Sequence, residues 1–131
     1  MSFGNDVLLK AYNDTEFSWL PLTHFYVSLH TANPKGGDQT IFETNYTNYR
    51  RVAVERTDAG WIVSEGQVAN VNQIRFPTCT GGNSIATHFA VGILAIGAGQ
   101  IINSGELGIS LSISENILPF FRPNDIVIAE I

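Results

Sequence analysis

Charge is the scarcest commodity in this chain of 131 residues. Asp, Glu, Lys and Arg together make up 15% of it, against roughly 25% in an average soluble domain. Hydrophobic residues reach 44%, a combination that excludes intrinsic disorder, which needs low hydrophobicity and high charge. Basic residues are scarcer still: 7 against 12 acidic, for a net charge of −5. A chain with that balance is not built to wrap nucleic acid, whose backbone demands clustered cations. There is one cysteine, Cys79, so no internal disulfide and no cysteine-based zinc site is available. Cys79 reads as a small residue packed near a Gly-Gly turn. The N-terminal residues show neither a basic start nor a long apolar run, so no signal peptide is expected and folding in a reducing cytoplasm is.

The missing charge is concentrated. From Phe76 to Gly105 there is no Asp, Glu, Lys or Arg. Part of this stretch, Ile85 to Ile102, is about as long as a short membrane span. Gly92, Gly97 and Gly99 interrupt it, however, and Thr87, His88 and Gln100 are polar. Large residues (Ile85, Thr87, Phe89, Val91, Ile93) alternate with small or polar ones (Ala86, His88, Ala90, Gly92). Period-two alternation is a strand, packed on one face with a close neighbour on the other. Gly97-Ala98-Gly99 then predicts a turn into a second strand at Gln100 to Asn103. The prediction is a hairpin, with no membrane span.

The remainder reads as short strands between turn clusters. Phe25, Val27 and Leu29 alternate with Tyr26 and Ser28; Val52 and Val54 share a face; Trp61 to Ser64, Val68 to Val71 and Gln73 to Phe76 follow. Leu107, Ile109, Leu111 and Ile113 alternate with Gly108, Ser110 and Ser112, and Ile126 to Ile131 closes the chain. The one helix-like piece is Asp6 to Tyr12. About eight or nine strands at this spacing predict an all-β fold, a jelly-roll-like antiparallel β-sandwich with a short N-terminal helix. The expected division is an N-terminal helical segment or arm, 1–20, and a β-sandwich domain, 21–131.

Catalytic chemistry finds little support. His24 and His30 share a strand face but lie roughly 20 Å apart at ~3.3 Å per residue. His88 has no partner nearby in sequence, and the spaced carboxylates Asp14/Glu16 and Glu55/Asp58 match no calcium loop. The glycine pairs match neither a phosphate loop nor a dinucleotide fingerprint. No catalytic residue, cofactor or metal ligand is expected. The most suggestive polar cluster is Tyr46-Thr47-Asn48-Tyr49-Arg50-Arg51, because Tyr and Arg are enriched at protein interfaces; stacking on a sugar is the other reading. A second candidate contact surface is the apolar set Val7, Leu8, Phe17, Trp19 and Leu20, which needs either its own sandwich or a partner to cover it.

The order of segments resembles a family of small bacteriophage virion proteins often described as tail fibre proteins. The resemblance rests on Phe25 through Pro34, on Tyr46 through Val54 with its Arg-Val-Ala-Val strand, on Trp61, on Ile74-Arg75-Phe76-Pro77-Thr78, on Thr87-His88-Phe89 and on Ser104 through Leu107. It covers roughly Leu20 to Ile131. It implies a non-enzymatic structural component of a phage particle. For a compact chain without shaft-like repeats, the first expectation is a capsid decoration or cement protein. It would bind the major capsid protein and copies of itself, as a homodimer or homotrimer. The alternative is a tail-fibre or baseplate β-sandwich module that binds host glycan.

Overall fold

The computed structural model describes residues 23–35, 37–64 and 66–129. The N-terminal helical segment expected at 1–20, with Val7, Leu8, Phe17, Trp19 and Leu20, lies outside the described residues.

Among the described residues the chain forms nine strands and no helix, as the sequence predicts: β1 (His24–His30), β2 (Val52–Glu55), β3 (Trp61–Ser64), β4 (Gln67–Asn70), β5 (Ile74–Arg75), β6 (Ser84–Gly92), β7 (Ile101–Ile113), β8 (Phe120–Phe121) and β9 (Val127–Ala129). Three sheets result, in the orders β2-β1-β6-β7, β3-β4-β9 and β5-β8. No helix among the described residues is long and apolar enough to cross a membrane; the 85–102 stretch is consumed by β6, a loop and the start of β7.

The chain divides into two compact units. One is built on Val54–Ile74 and Phe121–Ile131, with the described residues up to Phe25. Its sheet is antiparallel, with Trp61 opposite Asn70, and Val68 opposite both Val63 and Ile128. Trp61, Val68 and Ile128 fill the buried side. Asn70 is fully buried, and a buried amide is tolerable only when its bonds are made. Its Nδ2 donates to the carbonyls of Asn72 (2.8 Å) and Arg122 (2.9 Å), and its Oδ1 accepts from the Ile126 N–H (2.9 Å). This side chain thereby fixes the segment leading into β9. The Arg56 guanidinium lies 5.8 Å from the centre of the Phe25 ring, within cation–π range.

The other unit comprises Tyr26–Ala53 and Arg75–Phe120. Here β1 and β6 pair from Tyr26/Gly92 to His30/His88. The alternation of Phe25, Val27 and Leu29 is borne out, since all three are buried. Ser28 and His30 on the opposite face are equally buried, so the end of β1 is covered on both sides. Phe89, Ala90, Val91 and Gly92 of β6 are buried too. On the small-residue face a close neighbour stands at Gly92, where a Cβ would meet the Gln39 side chain at 2.2 Å; on the other face a Cβ at Gly105 would meet the Phe89 ring at 2.7 Å. Ile85 departs from expectation: it is 58% exposed while Ala86 beside it is fully buried.

The strands expected separately at Gln100 to Asn103 and Leu107 to Ile113 are one strand, β7. It breaks register with β6: Ala86 faces Leu111, but His88 faces Glu106. Residues 107 to 110 of β7 therefore stand opposite Thr87 alone. A strand carrying surplus residues bends away from its partner there.

Candidate interaction interface

Two turns of the second unit are laced into a rigid, apolar tip. The first is the turn Asp38 to Glu43 and the second is the loop Ile93 to Gly99, which connects β6 to β7. Gln39 is fully buried between them. Its backbone N–H donates to the Gly99 carbonyl (2.9 Å), its Nε2 donates to the Leu94 carbonyl (3.1 Å) and its Oε1 accepts from the Leu94 N–H (3.0 Å). The amide occupies the space that side chains at 92 and 99 would claim: a Cβ on Gly92 would sit 2.2 Å from its Cδ, and one on Gly99 2.1 Å from its Oε1. The two glycines are thus space-makers for a buried amide.

Arg51 completes the lacing. Its Nε and Nη2 grip the two oxygens of Glu43 at 2.7 and 2.8 Å, the bidentate fork geometry that makes such pairs strong. The same guanidinium donates to the carbonyls of Leu94 (3.0 Å) and Gly97 (2.8 Å). Glu43 beside it holds the guanidinium above its usual proton affinity. The Tyr49 hydroxyl donates to Glu43 (2.6 Å) and accepts from the Leu29 N–H (3.2 Å). Burial first, and then the negative charge of Glu43, push its ionisation well above the ordinary tyrosine range.

Asn48 shapes the turn that brings the tyrosines together. The Tyr49 N–H donates to the Tyr46 carbonyl (3.0 Å) and Asn48 sits at φ 84°, a conformation Asn tolerates better than most residues. The rings of Tyr46 and Tyr49 meet edge to face at 5.4 Å, and Tyr49 stacks parallel on Phe76 at 6.3 Å. The Tyr46 hydroxyl donates to the Pro77 carbonyl (2.6 Å), and burial pushes it up to about 12.

His30 braces the turn from below. Its Nδ1 donates to the Ile41 carbonyl (2.8 Å), so Nε2 is the acceptor for the Ser28 hydroxyl at 2.7 Å. Burial lowers its proton affinity below that of a free histidine, which suits this neutral tautomer. Its neighbour on β6, His88, is only half-buried and bonds to the Thr87 hydroxyl (2.8 Å). Ser28 and His30 form a hydroxyl–imidazole pair, but neither has any solvent exposure, so no substrate reaches them. Cys79 is buried with its thiol donating to the Gly81 carbonyl (3.1 Å). No group of His, Cys, Asp and Glu among the described residues is arranged to hold a metal ion.

On this frame four apolar side chains face water: Ile41, Phe42 (56% exposed), Leu94 and Ile96 (86% exposed). Phe42 sits at φ 56°, the left-handed region that costs a bulky residue about 1–2 kcal/mol. It is held there because its carbonyl receives the Thr31 N–H (2.8 Å) and Oγ1 (3.2 Å).

Of the residues singled out by sequence, the structure brings Tyr46, Tyr49 and Arg51 together, as internal bracing. Tyr46 is buried, Tyr49 and Arg51 are half-buried, and Arg50 is exposed, as are Thr47 and Asn48. The surface they support, Ile41, Phe42, Leu94 and Ile96, was not singled out, nor were Gln39 and Glu43. The three glycines at 92, 97 and 99 were the available signal, for they mark where backbone must approach closely.

A search of curated proteins finds no match for this chain. A family model, described as podophage GP4 fiber I protein gp80, matches residues 4–129. The match extends through most of the N-terminal segment, further than the resemblance read from the sequence. With all but a few terminal residues covered, the chain belongs to this phage fibre family, a family of structural components of the virion.

Proposed function

We propose that the protein is a non-enzymatic fibre component that docks onto another virion protein through the tip formed by Ile41, Phe42, Leu94 and Ile96. The observation that carries this reading is Phe42. A large aromatic side chain is held in water, in an unfavourable backbone conformation, where its carbonyl takes part in the bridge that ties the turn to the end of β1. Strain retained by surrounding structure is characteristic of sites that bind, and aromatic anchors dominate interface energetics. The tip is preorganised by the Glu43–Arg51–Gln39 lacing, which lowers the ordering cost of association.

The fibre family favours a place on the tail over the capsid-decoration role expected from the chain's size. Cementing the coat through the major capsid protein has only that compactness in its favour. The glycan-binding alternative has weaker support again, since the hydroxyls of Tyr46 and Tyr49 are both engaged internally. Locating the protein by labelled electron microscopy of purified virions tests the reading. A few to a few dozen copies at the tail support it. Hundreds of copies spread over the head establish the cement role instead. Virions assembled with Phe42→Gly are expected to lack the protein; normal incorporation would remove the tip from consideration.

A further inference from the structure

The outer strand β7 offers a second contact of different chemistry. It is 13 residues long and lies at the edge of its sheet. Edge strands in monomeric proteins are normally short, or guarded by lysine or proline, because a row of open backbone N–H and C=O groups templates another strand. Here the guard is missing. From Phe76 to Ser114, which spans all of β6 and β7, Glu106 is the sole Asp, Glu, Lys or Arg. Residues 107 to 110 have no register partner on β6, where the pairing shifts between Ala86 and His88. Ile109 at the crest is 84% exposed, and Ile85 on the neighbouring strand is 58% exposed.

We infer that β7 pairs antiparallel with β7 of a second copy of this chain. An open strand edge selects another extended strand, and two facts select an identical one. The chain carries a net charge of −5, so two copies approach one another most easily through an uncharged surface, and this hairpin edge is such a surface. The pattern is also self-complementary. A two-fold axis at Ser110 sets Ile109 opposite Leu111, apolar against apolar, and Leu107 opposite Ile113, whose side chain is already buried in its own unit. It sets Glu106 opposite Ser114, so the strand's single charge never meets its copy. The bend at 107–110, which in other proteins turns an edge away from a neighbouring strand, here carries Ile109, 84% exposed. The contact is isologous and joins two four-stranded sheets into one of eight strands. It is independent of the virion partner that the tip contacts.

Sedimentation of the full-length protein over a concentration series tests this. A reversible dimer is expected. Ile109→Lys and Ser110→Pro should each weaken it at least about tenfold, the effect of losing one well-buried apolar contact or a ladder bond with its strand geometry. Circular dichroism confirms that the variants remain folded. Ile96→Lys, altered at the tip, should leave the dimer intact. Ser110→Cys lies on the two-fold axis and should cross-link to itself on mild oxidation far faster than Ile96→Cys, although residue 96 is among the most exposed. A wild-type protein that stays monomeric overturns the inference, as does an oligomer that neither β7 variant weakens. Equal cross-linking from positions 96 and 110 overturns the axis.

Discussion

The lacing at Glu43 and Arg51 can be broken at one atom group. Arg51→Met keeps the aliphatic length of the side chain and removes the guanidinium. The side chains of Arg51 and Glu43 are only 4% and 13% exposed, so solvent screens this pair poorly. The variant leaves a carboxylate with one remaining bond, from Tyr49, and removes one of two donors from each of the Leu94 and Gly97 carbonyls, which keep Gln39 Nε2 and the Gly99 N–H. Removing one partner of a buried pair costs about 3–5 kcal/mol, because the other charge is left uncompensated. For a chain of this size that corresponds to a fall in Tm of roughly 10–20 °C. Urea denaturation gives the free energy directly, and the m-value reports whether the unfolding reaction itself has changed. The double variant Glu43→Gln/Arg51→Met completes the cycle. It should be no worse than Arg51→Met alone, since the stranded charge is gone. A loss below about 1 kcal/mol for Arg51→Met places the pair with ordinary surface ion pairs and refutes the bracing role. A double variant that loses the full sum of both singles refutes the coupling.

Three further outcomes follow from the same geometry. Gly92→Ala drives a Cβ into the buried Gln39 amide and is expected to cost about 1–3 kcal/mol in chemical denaturation, as overpacking does. His30 has its proton affinity lowered by burial. The unfolded chain therefore takes up the extra proton first, stability is full above about pH 6.5, and it declines as pH falls from there toward the lowered folded value; urea midpoints at pH 7.5 and 5.5 should differ, and the His30 share of that difference should vanish in His30→Gln. Tyr46 and Tyr49 are shifted upward, so their contribution is present below about pH 10 and lost above it. Absorbance at 295 nm in an alkaline titration should show these two ionising only as the protein unfolds, against early ionisation if their hydroxyls were free.

The strands were legible because their signal is local. Phe25, Val27 and Leu29 announce β1 by alternation, and Asp58-Ala59-Gly60 marks the turn before β3 with no knowledge of the rest. The union of 101–113 into one strand was not legible, since Ser104-Gly105 and Gly108 look like breaks until β6 lies alongside. Glu43 was overlooked because its partner is eight positions away on another segment, and spacing in an irregular turn predicts no contact. The left-handed backbone at Phe42 carries no sequence mark at all, for it is imposed from outside by Thr31. At 46–51 the polar atoms of Tyr46, Tyr49 and Arg51 are spent inward while Arg50 is exposed, and the apolar side chains they steady face outward.

The Gln39 amide, seated where Gly92 and Gly99 have no side chains, carries an implication for descent. These three positions constitute one inheritable unit. A lineage that acquires a larger residue at 92 or 99 must shorten 39 in step, and one that shortens 39 leaves a hole that alanine at 92 can fill. Among relatives the trio should drift together while the strand residues on either side vary separately. A loop whose composition looks permissive should therefore resist single substitutions at these three positions.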